Sequence, residues 1–123
     1  MSQDPKHDLK LVQQLCKSGD LERIWFSATS RSIVKVIETY SGTESLKSYE
    51  EAVRFILEGL QSLQPDDFVQ RVSQWGAVAD VYGLRFDQRS WYVKFIFENG
   101  VLEQISFHPP EKSLTTVSGK VLS

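Results

Sequence analysis

The stretch Trp91–Pro110, WYVKFIFENGVLEQISFHPP, decides the fold, because two alternating apolar and polar runs flank the turn-forming pair Asn99-Gly100. It reads as a β-hairpin with one buried face. A two-residue type I′ turn at Asn99-Gly100 would pair Phe95 with Gln104 and Tyr92 with Phe107, mixing core and solvent faces. A three-residue loop, Glu98-Asn99-Gly100 with the glycine left-handed, instead pairs Phe97 with Val101, Val93 with Ile105 and Trp91 with Phe107. The pattern therefore predicts the three-residue loop, with Glu103 the lone misfit on an apolar face. Pro109-Pro110 stops the second strand, since neither residue donates a ladder hydrogen bond.

Upstream of the hairpin, Phe68 to Trp75 and Val78 to Phe86 also alternate, separated by Gly76-Ala77 and followed by the polar turn Asp87-Gln88-Arg89-Ser90. Together the runs predict a four-stranded antiparallel meander. The segment before it has helical spacing. Leu9, Val12, Leu15 and Cys16 mark one helix, closed by Gly19. Ile33, Val34, Ile37 and Tyr40 mark a second, capped by Ser27 or Thr29. Val53, Ile56, Leu57 and Leu60 mark a third, opened by the capping-box pair Ser48 and Glu51. Leu21 to Phe26 is ambiguous between a strand and the entrance to the second helix. Helices first and strands afterwards predict an α+β domain, with N-terminal helices packed on one face of a C-terminal antiparallel sheet.

The 123 residues, 41% of them hydrophobic, suffice for one core and thus a single domain, 1–123, with 1–7 and 111–123 expected to be loose. Lys and Arg number 14 against 16 Asp and Glu, a net charge of -2, which argues against binding nucleic acid by bulk attraction alone, so any such contact needs a local basic site. The single cysteine, Cys16, cannot form an intrachain disulfide and sits at an apolar helical position, as a buried thiol in a reducing compartment would. The opening MSQDPKHDLK has no apolar signal region and no run approaches a membrane span, so a cytoplasmic location without membrane contact is expected.

The polar face of the predicted hairpin carries Tyr92 beside Ser106, Lys94 beside Gln104, and His108 one step beyond. Such side chains also serve mere solubility on an exposed strand. They are equally the types that RNA cleavage without a metal requires: a base for the 2′-OH proton, an acid for the leaving oxygen, and cations for the phosphate. Other chemistries lack their residues. His7 and Cys16 have no partners at zinc-ligand spacing, no glycine-rich phosphate loop follows a strand, and there is no Gly-x-Ser-x-Gly elbow. Neither a metal nor an organic cofactor is expected.

Several segments in order, LKLVQQLCKSGD, FSATSR, ILEGLQSL, DDFVQ, ADVYGLR, WYVKF and ISFHPPEK, give the chain a likeness through most of its length. It resembles the MqsR family of mRNA interferase toxins, small endoribonucleases of RelE-like α+β fold from toxin–antitoxin systems. The resemblance implies an mRNA substrate and a cognate antitoxin protein as partners. It places Tyr92 on an active-site tyrosine and Arg85 on a family arginine, which with Lys94 and Arg71 would supply the positive site. His108 stands where the family has a functional lysine, Gln70 with Arg71 beside it falls near another lysine, and Ala79 replaces a glutamine. The residues expected to act are therefore His108, Tyr92 and Lys94 in catalysis, and Arg85, Arg71, Gln70, Gln104 and Ser106 in substrate binding. The competing reading is a non-catalytic interaction module that keeps the toxin fold and binds a protein through its sheet.

Overall fold

The structure, a computed structural model, describes residues 4–27 and 31–123. Its elements are α1 (Leu9–Ser18), β1 (Ile24–Phe26), α2 (Ser32–Tyr40), α3 (Tyr49–Ser62), β2 (Phe68–Gln74), β3 (Ala77–Phe86), β4 (Arg89–Glu98), β5 (Val101–His108), β6 (Leu114–Thr115) and β7 (Val121–Leu122). The fold is α+β, with the helices packed on one face of a five-stranded sheet ordered β1-β5-β4-β3-β2. The expected four-stranded meander is present and gains a fifth strand. Only Ile24–Phe26 of the ambiguous run is extended, and it pairs parallel with β5. Parallel pairing needs a long crossover, which α2, α3 and β2 to β4 supply between the two strands.

Each helix forms for a local reason and is held by an apolar stripe. α1 opens where Asp8 accepts the Leu11 amide and closes at Gly19 in the left-handed region, φ 70. It buries Val12 and Cys16, and burial pushes the Cys16 thiol up to about 12, leaving it inert. α2 departs from expectation at its start. Arg31 occupies the N-cap position at φ 54 with no side-chain cap, so Ser27 does not cap it, and Thr29 lies outside the described residues. The buried Ser32 hydroxyl of its first turn donates to the Ile105 carbonyl at 3.2 Å, tying the helix to β5. In α3 the capping box is present, with Ser48 Oγ accepting from the Glu51 amide and Glu51 Oε1 accepting from the Ser48 amide. Ser48→Ala is expected to cost about 1 kcal/mol, read as a lowered denaturation midpoint.

Three two-residue turns join β2 to β5: Trp75-Gly76, Asp87-Gln88 and Asn99-Gly100. Both central residues of each have positive φ, the type I′ signature whose twist suits a hairpin. Asp87 and Gln88 reach φ 54 and 62 without a glycine. The Tyr40 hydroxyl, donating to Asp87 Oδ2, holds that turn against the helical layer.

The Asn99-Gly100 turn corrects the predicted register. Glu98 pairs with Val101, Ile96 with Glu103 and Phe95 with Gln104, the two-residue pairing. A β-bulge at Ile105 then inserts one extra residue in β5, so that Lys94 faces Ser106, Val93 faces Phe107 and Tyr92 faces His108. The bulge reconciles the preferred turn with an unmixed core. It also removes the Glu103 misfit, since Glu103 now lies on the outer face with Ile96.

The inner face carries Trp91, Val93, Phe95, Leu102 and Phe107 into a core shared with Phe55, Ile56 and Leu60 of α3 and Val36 and Tyr40 of α2. Of the two segments expected to be loose, residues 4–7 and the C-terminal stretch are docked instead, and residues 1–3 lie outside the described residues. Asp80, fully buried, accepts the backbone amides of Lys6 at 2.9 Å and His7 at 2.8 Å, and His7 is buried against β3 through the Val78 carbonyl. The C-terminal segment forms the β6–β7 pair and lies on the outer face, where the absent side chain of Gly83 leaves room for Leu122. Val117 donates to the Phe68 carbonyl at 2.8 Å and Lys120 reaches Asp67 at 2.6 Å. Burial of Leu122 and Thr116 explains why a polar, small-residue stretch is ordered.

Candidate functional site

Strand alternation and register together set the outer face. Trp91, Val93 and Phe95 point to the helices, so Tyr92, Lys94 and Ile96 point away. Across the sheet, Gln70, Val81, Lys94 and Ser106 form one row, and Gly83, Tyr92 and His108 form the next. Arg85 and Ser90 form a third row. The bulge at Ile105 is what brings Ser106 and His108 to the same face as Tyr92 and Lys94.

These residues line a cleft of about 450 Å³ whose opposite wall is the C-terminal segment, with Glu111, Lys112, Ser113 and Leu114. The Tyr92 and His108 rings stack with centroids 5.2 Å apart and planes 13° apart, bracing the imidazole. His108 Nδ1 lies 2.7 Å from the Pro109 carbonyl. A carbonyl only accepts, so Nδ1 is the donor and Nε2 is the ring nitrogen left to exchange a proton with a substrate. Lys94 Nζ donates to Gln74 Oε1 at 3.0 Å, and burial lowers its pKa below the ordinary lysine range. The ammonium is thus a stronger acid than an exposed one. Burial raises the Tyr92 pKa, so its hydroxyl keeps its proton and serves as a donor.

The other expected residues divide. Arg85 is exposed on the same face, one row beyond Tyr92, with Nη1 3.2 Å from Ser90 Oγ. Gln70 is exposed in the Lys94 row, on the edge strand, across β3 from the cleft. Arg71 belongs to the opposite face, where its Nε donates to the Asp4 carbonyl at 2.7 Å, so it is not part of this cleft. Gln104 is a second correction. It is fully buried, opposite Phe95, and its Nε2 donates to the Ser106 carbonyl at 2.6 Å. The bulge that places Ser106 on the outer face, still buried, turns Gln104 inward, giving it a strand-shaping role. Ala79 packs with Ile96 and Ile105 in a small apolar strip on the outer face.

Sequence reasoning missed Glu111 and Lys112, because the polar tail carrying them was expected to be loose. Leu114 and Leu122, which pair across the short β6–β7 hairpin, hold that segment in place. A groove of similar size between α1 and α3 is lined by Cys16, Val53 and Leu57, and has no comparable pairing of an imidazole with a lowered-pKa lysine. Among the described residues no three His, Cys, Asp or Glu side chains gather as metal ligands, and no helix is long and apolar enough to cross a membrane. No protein-family model matches the chain, and no curated protein sequence matches it.

Proposed function

We propose that the chain is a cytoplasmic endoribonuclease toxin, of the MqsR type with a RelE-like fold, that cleaves single-stranded mRNA without a metal and is neutralised by a cognate antitoxin. The observation that carries this reading is the stacked Tyr92–His108 pair, with Nδ1 committed to the Pro109 carbonyl and Lys94 in the adjacent row of one cleft. His108 Nε2 takes the proton of the ribose 2′-OH, and the 2′-oxygen attacks the adjacent phosphorus. The bond from phosphorus to the 5′-oxygen breaks, and Lys94 gives that oxygen its proton. The products are a 2′,3′-cyclic phosphate and a 5′-hydroxyl. Lys112 and Arg85 neutralise the phosphate, and the Tyr92 hydroxyl donates to a nonbridging oxygen.

The test is cleavage of a single-stranded RNA by the purified chain in EDTA, with the fragment ends identified. Cleavage yielding cyclic-phosphate ends, abolished when the nucleotide 5′ to the cut is 2′-deoxy, is the expected result. No cleavage of the all-ribose strand, cleavage that persists at the 2′-deoxy position, or fragments bearing 5′-phosphates overturns the reaction as written. Harmless expression together with co-purification of a neighbouring gene product would favour the non-catalytic interaction module.

A further inference from the structure

Lys94 reaches its hydrogen-bond partner across a whole strand. It stands on β4, Gln74 ends β2 and β3 lies between them, yet Lys94 Nζ is 3.0 Å from Gln74 Oε1. The register shows how. Val81 of β3 pairs with Lys94 and Ala77 pairs with Gln74, so the lysine passes over the residue midway on that face, Ala79. Neither alanine is long enough to block the path. Ala79 is fully buried although it faces outward, as a residue beneath a lysine stem is. Gln74 directly precedes the Trp75-Gly76 turn, whose φ values of 51 and 79 fix the strand end opposite Ala77.

The acceptor is an amide and not a carboxylate. Among the described residues the ion pairs are Arg23 with Asp20 and Lys120 with Asp67, so no acid stands within pairing distance of Lys94. The titratable and charged groups on its face are Tyr92 on its own strand, His108 on β5, Glu111 and Lys112 of the C-terminal segment, Arg85 on β3, and Glu98 and Glu103 toward the other end. The sheet order β5-β4-β3-β2 sets His108 on one side of β4 and Gln74 on the other, so the ammonium is drawn away from the imidazole.

We propose that Gln74 is a positioning residue of the cleft, whose amide oxygen holds the Lys94 ammonium on the side of a bound phosphate opposite His108 without supplying a countercharge. The proposal rests on reading the cleft as a ribonuclease site with Lys94 as the acid. Position matters because the attacking and leaving oxygens lie in line across the phosphorus, so base and acid must approach from opposite sides. Neutrality matters as well. A carboxylate in the same place would stabilise the ammonium, raise its pKa and make it a poorer proton donor. Burial lowers the Lys94 pKa, and an amide acceptor orients the group without undoing that effect. Gln74 thus acts through Lys94.

The experiment compares Gln74→Glu and Gln74→Met with the parent, all as full chains. The Lys94 titration is followed by its side-chain NMR signal, identified by its loss in Lys94→Arg. Cleavage of a single-stranded RNA is followed across pH, with spontaneous hydrolysis subtracted. His108 sets the acidic limb of the rate profile and Lys94 the alkaline limb. In Gln74→Glu the lysine titration and the alkaline limb are both expected to rise by about 1–2 pH units, the acidic limb to stay, and the plateau rate to fall about tenfold. Gln74→Met keeps the length and loses the acceptor, so its rate should fall about tenfold with no upward movement of the limb. A slower Gln74→Glu chain with an unmoved alkaline limb would show a merely structural role and overturn the proposal. So would a Lys94 titration that the glutamate leaves unchanged. The NMR readout is independent of turnover, so a raised Lys94 titration in Gln74→Glu without any cleavage by the parent would leave the tether standing and remove the ribonuclease reading. Cleavage by all three chains with identical pH profiles would do the reverse.

Discussion

Replacing His108 by alanine is expected to lower the rate of RNA cleavage by about 10²- to 10⁴-fold, the usual worth of a positioned general base. The loss follows from geometry. The Pro109 carbonyl fixes the Nδ1 proton, the Tyr92 ring fixes the plane, and only Nε2 is left to accept a proton from substrate. Because His108 sits at the end of β5 and is only half-buried, the variant should unfold at nearly the same denaturant concentration as the parent. Initial rates on a fluorescent single-stranded RNA, measured beside a denaturation curve, separate the two effects. An undiminished rate in a folded His108→Ala protein would remove the residue from the mechanism.

Trp91→Ala is expected to cost about 3–5 kcal/mol, against a total of about 5–15 kcal/mol for an ordinary domain. Trp91 is fully buried, its ring packs on Tyr40, Phe55 and Phe107, and its Nε1 donates to the Phe86 carbonyl at 2.9 Å. Truncation leaves a cavity at the junction of α2, α3 and the hairpin and removes the indole hydrogen bond to the Phe86 carbonyl. The measurement is the midpoint of guanidinium unfolding, which should fall while its slope is unchanged. Trp91→Phe should lose less. An alanine variant as stable as the parent would show that the aromatic cluster is not where the two layers are joined.

The elements were legible because their signals are local. The capping box at Ser48, the glycine stop at Gly19 and the apolar stripes of α1 and α3 are all visible within a turn or two of chain. The N-terminus of α2 was not, since Arg31 takes a left-handed cap that no preference of residue type announces. Parallel pairing of β1 with β5 was also hidden, because only three residues take part and their partners lie far away in sequence.

Of the candidate site, Tyr92, Lys94, Ser106 and His108 were correctly assigned to one face even though the register behind that assignment was wrong. The three-residue loop and the two-residue turn followed by a bulge place every residue after Ile105 on the same side, and they differ only between Val101 and Ile105. Gln104 falls in that interval and is buried, where the longer loop would have exposed it. The misfit of Glu103 was the trace of the error.

The sequence by itself determined the α+β order of elements, the inner face of β4 and the outward display of Tyr92 and Lys94, since period and turn chemistry are properties of adjacent residues. Only the tertiary structure decided that Ile105 bulges, that Arg71 turns toward the N-terminal segment, that Asp80 anchors that segment, and that the C-terminal segment walls the cleft with Glu111 and Lys112. Those features depend on which buried surfaces and unpaired backbone groups find each other across the chain, and no local pattern carries that information.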